Sequence, residues 1–128
     1  MGNTDRHILI VEDSTVLAVM LRRTLQAAGF RVTIARDGRD AWSKVQTAAY
    51  DVIVTDQQMP VMSGVELCEK IRQLEGYQQT PVIMITAKAY ELDAQRMHDD
   101  LQIAAIFMKP FSPTQVRRAI EESVSAIA

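Results

Sequence analysis

Five short apolar runs, separated by stretches of helical periodicity, leave this chain little choice of fold. Four are strongly apolar: His7–Val11 (HILIV), Asp51–Thr55 (DVIVT), Pro81–Ile85 (PVIMI) and Ala104–Met108 (AAIFM), the last read as a strand from Ile103. Runs of this length, rich in Val and Ile, read as parallel strands buried on both faces. The fifth, Arg31–Ala35 (RVTIA), alternates and suits a strand nearer a sheet edge. Between them apolar residues recur at helical spacing. Val16, Leu17, Met20, Leu21 and Leu25 follow Ser14, a predicted N-cap, and Gly29 is a stop for that helix. Ala41, Trp42 and Val45 follow an Asp37-Gly38 turn, and Val65, Leu67, Cys68 and Ile71 follow a loop from Met59 to Gly64. A fourth, polar helix is expected over about Tyr90–Asp100, anchored by Leu92, Met97 and Leu101. A fifth opens after Pro113 with Ser112 as its cap, and Val116, Ile120 and Val124 form its inner stripe. A βα unit repeated five times predicts right-handed crossovers and a doubly wound α/β architecture: a three-layer sandwich with helices on both faces of a parallel sheet.

The 128 residues suit one domain, 1–128, with a polar, frayed tail at 1–6. A net charge of −2 gives no basic surface for direct contact with nucleic acid. No apolar run approaches the roughly 20 residues of a membrane span, and the N-terminus carries no signal-like stretch, so a cytoplasmic protein without a membrane partner is expected. The single Cys68 excludes an internal disulfide and reads as a small buried hydrophobe.

Five polar residues stand at or just beyond the carboxyl ends of these runs: Glu12, Asp13, Asp56, Thr86 and Lys109. In open α/β sheets, ligands bind outside the carboxyl ends of the strands. Gathered on one rim, three carboxylates, a hydroxyl and an ammonium group suit a divalent metal and a phosphoryl group. Taken alone, the Glu12–Asp13 pair reads better as favourable charge at a helix N-terminus, and an ordinary β-branched strand end is the lesser reading of Thr86.

The segments IVEDS, VTDQQMPVMSG, ITA and KPF, in this order and each at a strand end, make the chain from about His7 to Ala126 resemble the receiver domain of two-component response regulators. The resemblance implies a flavodoxin-like (βα)5 fold with sheet order 2-1-3-4-5. It implies Asp56 as the phosphorylated residue, assisted by Lys109 and Thr86. Mg2+ would be held by Asp13, Asp56 and the backbone carbonyl of Gln58, with Glu12 acting through a metal-bound water or a contact with Lys109. A cis bond at Lys109–Pro110 is expected. Such a domain takes its phosphoryl group from a histidine kinase or phosphotransfer protein. It is no enzyme towards a separate metabolite and catalyses only its own phosphorylation and dephosphorylation. Its output is to a second copy of the chain or a downstream protein, through the surface of helix four, strand five and helix five.

The sequence departs from the family pattern in three places. The position three before Lys109, usually aromatic and coupled to the Thr on switching, is Ile106, with Phe107 on the opposite sheet face. The usual small Gly-Ala pair before strand five is Gln102-Ile103, and the positions two beyond the acceptor and two beyond the Thr are Gln58 and Lys88. Thr86 and Ile106 are therefore the switch residues, with weaker or altered coupling expected. Rival readings fit less well. A flavin carrier of the same fold needs a Ser/Thr/Gly-rich loop where EDSTVLA stands, and an aspartyl phosphatase needs a second Asp at position 58.

Overall fold

The computed structural model describes residues 5–127, so of the tail expected at 1–6, residues 1–4 lie outside the described residues. Arg6 is already tied to the sheet, its carbonyl accepting a hydrogen bond from the Arg31 N–H at 3.0 Å. Five strands, β1 (His7–Val11), β2 (Arg31–Ala35), β3 (Val52–Asp56), β4 (Val82–Thr86) and β5 (Ile103–Met108), form one sheet in the order β2-β1-β3-β4-β5. Every pairing is parallel. β3 and β4 each begin and end one residue later than the apolar runs suggested. Pro81 has no N–H to give a ladder, and Asp51 ties the strand start to His7, its N–H donating to the His7 carbonyl and its carboxylate accepting from the His7 N–H, both at 2.8 Å. Asp56 and Thr86 are consequently the last residues of their strands, fixed by the sheet itself.

The helices are α1 (Thr15–Ala27), α2 (Gly38–Val45), α3 (Gly64–Ile71), α4 (Ala94–Asp99) and α5 (Pro113–Ile127). Alternate strand residues enter opposite cores. Ile8, Ile10, Val52, Val54, Ile83 and Ile85 meet α1 and α5, whereas Leu9, Val11, Ile53, Val82 and Met84 meet α2, α3 and α4. Each turn into a helix is written locally. The Ser14 hydroxyl caps Leu17 N–H, the Asp37 carboxylate caps Asp40 N–H, and Ser63 with Glu66 forms a reciprocal capping box. Gly29, at φ 97°, ends α1 in the left-handed conformation that glycine adopts without penalty.

Helix four departs from expectation. A 3-10 turn at Ala89–Glu91 ends at an extended Leu92, and α4 restarts only at Ala94 because the Asp93 side chain caps the Arg96 N–H. The single helix expected over 90–100 is thus two short pieces. Asp93 favours an N-cap over a helix interior, which decides the break.

Candidate functional site

The carboxyl ends of β1, β3, β4 and β5 bring the five predicted residues to one rim. Asp56 closes β3, and the loop beyond it turns at once into α3. The Gln57 carbonyl accepts from Gly64 N–H at 3.1 Å, and its side-chain oxygen accepts from Val65 N–H at 2.8 Å. That turn passes directly beneath the strand end, for a Cβ on Gly64 would lie 2.5 Å from the Asp56 carbonyl oxygen. Glycine at 64 is required by this close approach.

Asp56 and Glu12 are buried and Asp13 is exposed, yet one carboxylate oxygen from each lies within 4.8 Å of the others. Lys109 Nζ sits between two of them, 3.1 Å from Asp56 Oδ2 and 3.2 Å from Glu12 Oε1. The second Glu12 oxygen accepts from the Ser14 N–H at 3.0 Å. Lys109 is held at its backbone too, where its N–H donates to the Thr86 carbonyl at 2.8 Å, and the following Lys109–Pro110 bond is cis. Asp56 Oδ1 is buried with no hydrogen bond of ordinary geometry among the described residues, although the Gln58 N–H lies near enough to the carboxyl to oppose its rise.

Burial pushes the Asp56 carboxyl above its ordinary range, against the opposing hydrogen bond and charge of Lys109. Burial likewise raises Glu12, with the Ser14 N–H opposing and the neighbouring carboxylates adding to the rise. Burial alone would lower Lys109, but its hydrogen bond to Asp56 and the charges of Asp56 and Glu12 prevail and raise it. One ammonium, in contact with two of the carboxylates, thus sits against a cluster of three, an excess of anionic charge around a buried oxygen. Hard oxygen donors with uncompensated charge are what a divalent cation such as Mg2+ binds, and this donor set fits one.

Thr86, fully buried, stands one rung beyond the Asp56–Ile85 pairing of β3 and β4. Its hydroxyl does not reach toward the carboxylates. Both ends of the Gln58 amide lie against Thr86 Oγ1, Nε2 at 2.8 Å and Oε1 at 3.1 Å, so the hydroxyl either accepts from the first or donates to the second, and the Lys88 N–H donates to Thr86 Oγ1 at 3.0 Å. The Ala87 N–H also donates to Gln58 Oε1, at 3.2 Å. From the sequence, Gln58 was a backbone-carbonyl ligand and one of the departures from the family pattern; its side-chain contact with Thr86 went unseen. Nothing within the VTDQQMP segment signals it, since the contact spans 28 residues. Ile106 pairs with Met84 across β4 and β5 and packs against the α2–α3–α4 core, the sheet face that Thr86 also shares, whereas Phe107 enters the other core.

Residues 8–121 match the family described as response regulator receiver domain. The alkaline phosphatase synthesis transcriptional regulatory protein PhoP of Bacillus subtilis (strain 168) is 32% identical over 117 residues, 91% of this chain and 48% of that protein. The chain spans about half the length of the curated relatives it matches, from 48% to 56% of the first three. Among solved structures, chemotaxis response regulator CheY4 of Vibrio cholerae superposes with a TM-score of 0.83 at 33% identity, covering 92% of this chain and 98% of that one. The receiver domain of sensor histidine kinase PA1611 from Pseudomonas aeruginosa PAO1, solved with a magnesium ion coordinated in its active site cleft, matches with a TM-score of 0.83 at 28% identity, covering 98% of this chain and 99% of that one.

Proposed function

Because this chain belongs to the response regulator receiver domain family of two-component signalling, we propose that Asp56 is its phosphoacceptor and that Asp13, Glu12, Thr86 and Lys109 serve the transfer. The observation that carries this reading is the state of Asp56. It is a buried carboxylate with one oxygen held by Lys109 at 3.1 Å, the other without a hydrogen bond of ordinary geometry, and two more carboxylates within 4.8 Å. A carboxylate oxygen of Asp56 forms a bond to phosphorus as the bond from phosphorus to the donor breaks, giving an acyl phosphate. With a phosphohistidine donor the leaving group is the imidazole nitrogen. Lys109 holds the nucleophile in place beforehand and then offers its ammonium to a phosphoryl oxygen. Asp13, Asp56 and the Gln58 backbone carbonyl would hold Mg2+, with Glu12 placed to bind through a water. When bound, the metal neutralises the charge of the incoming phosphoryl group and of the carboxylates.

The donor is a histidine kinase or a phosphotransfer protein, in keeping with the family. The domain works in the cytoplasm and catalyses only its own phosphorylation and dephosphorylation. Phosphorylation adds roughly −1.5 to −2 charge to the rim. Thr86 and Ile106, on one face of β4 and β5, pass that change to the surface of α4, β5 and α5, where a second copy or a downstream protein binds. Among the described residues no helix is long and apolar enough to cross a membrane.

Acetyl phosphate with Mg2+ should add one phosphoryl group to the intact protein, read by mass, and Asp56→Asn should add none. Equal phosphorylation of the Asn variant overturns the assignment.

A further inference from the structure

We propose that the Gln58 side chain is an internal stand-in for a phosphoryl oxygen, closing the cradle of Thr86 and Ala87 until a phosphoryl group displaces it. The inference rests on the receiver reading and deepens it by naming a positioning residue that sets the threshold of the switch.

The Thr86 hydroxyl has one proton to donate and two lone pairs to accept with. The Lys88 N–H takes one lone pair at 3.0 Å, and the Gln58 amide covers the rest: the hydroxyl either donates to Oε1 at 3.1 Å or accepts from Nε2 at 2.8 Å, one bond at a time. The same Oε1 accepts from the Ala87 N–H at 3.2 Å. A backbone N–H only donates, so the amide atom beside Ala87 is the carbonyl oxygen. One partially negative oxygen thus sits between the Thr86 hydroxyl and a backbone donor at the carboxyl end of β4. Preorganised donors converging on one oxygen are the arrangement that stabilises a phosphoryl or oxyanion oxygen.

Two consequences follow. The Thr86 hydroxyl and the Ala87 N–H cannot turn to a phosphoryl oxygen while the Gln58 amide covers them, so the amide must swing out first. An equilibrium that favours the closed amide also lowers the apparent affinity for any phosphoryl group by the fraction of molecules already open. A side chain without polar atoms but of similar shape, as in Gln58→Met, keeps the packing and removes the competitor.

The test is a titration of the full chain with beryllofluoride and Mg2+, followed by amide chemical shifts, for the wild type, Gln58→Met, Thr86→Ala and the double variant. Each net hydrogen bond is a factor of roughly two to ten. Gln58→Met should therefore bind beryllofluoride about tenfold more tightly than the wild type. In the Thr86→Ala background the gain should fall to about threefold or less, because one of the two donors that Gln58 occupies is gone. Without any ligand, the Ala87 amide proton should move upfield in Gln58→Met as its acceptor is lost. A general loosening of the fold would not make the gain depend on Thr86. A wild type that gives no Mg2+-dependent response to beryllofluoride overturns the receiver reading and the latch with it. A wild type that responds while Gln58→Met binds no tighter, or gains equally with and without the Thr86 hydroxyl, overturns the latch alone.

Discussion

Replacing Asp56 by Asn should make the metal-free protein more stable at neutral pH, although Asp56 is buried and ion-paired. The substitution removes a repulsion and an attraction together. At 4.8 Å, the outer limit of the separation from the Glu12 carboxylate, an effective dielectric of about 20 gives a repulsion of about 3.5 kcal/mol. Asp13 is exposed, so water screens its share to about 1 kcal/mol or less. The attraction of Lys109 at 3.1 Å is about 5.4 kcal/mol on the same scale. The pair energies nearly cancel, to within about 1 kcal/mol. Desolvation decides the sign. A carboxylate that is 3% exposed, with one oxygen lacking a hydrogen bond of ordinary geometry, loses several kcal/mol of hydration on burial. A neutral amide loses roughly 1–3 kcal/mol and still accepts from Lys109. The net expectation is a gain of about 1–3 kcal/mol for the Asn variant, less than the raw desolvation difference because local relaxation recovers part of it. The raised Asp56 carboxyl has the same sign. A carboxyl raised in the folded state contributes stability that is present below its ordinary range and lost as pH rises through the folded value. The advantage of Asn should therefore be largest at pH 7 and shrink as pH falls toward 4. Urea unfolding of both proteins in EDTA, at several pH values, measures this. An Asn variant no more stable at pH 7, or a gap that stays constant with pH, would refute the reasoning.

The other expectations concern the same rim and the loop beside it. Mg2+ at one hundred times its dissociation constant should stabilise the wild type by about 2.7 kcal/mol, equal ionic strength of NaCl should not, and Asp13→Ala should abolish the effect in a thermal melt. Gly64→Ala should cost about 1–3 kcal/mol in urea unfolding and slow phosphorylation by acetyl phosphate, since the added Cβ must displace the backbone of Asp56, 2.5 Å away. Val61 is 81% exposed and adopts φ 72°, a left-handed conformation that is strained for a β-branched residue. Val61→Asn should stabilise the protein by about 1 kcal/mol while leaving the Mg2+ response intact, and an unchanged urea midpoint would contradict that strain.

Periodicity made most of the architecture legible before any coordinates. A strand shows its two faces residue by residue and a helix shows one stripe, so the βα alternation, Ser14 and Ser112 as caps, and Gly29 as a stop could all be read locally. The order of the strands could not, and came only through the resemblance carried by IVEDS, VTDQQMP, ITA and KPF. The five polar residues of the rim were visible because each sits beside a strand end, where a parallel sheet must place it. Helix four was misjudged because Asp93, read as one more polar helical residue, spends its carboxylate on the Arg96 N–H instead.

What the sequence determined by itself is therefore the set of elements and the residues assembled at their ends. Tertiary structure alone decided how those residues are engaged. Gln102 takes φ 55° where the family usually has glycine, and its carbonyl accepts from Arg72 Nη2, whose guanidinium also ties the carbonyls of Leu101, Tyr77 and Thr80. Gln58 closes over Thr86 and Ala87 only because the parallel register of β3 and β4 sets Asp56 opposite Ile85. Such contacts depend on side-chain torsions chosen among neighbours tens of residues away. A local pattern of apolar and polar residues carries no record of that choice.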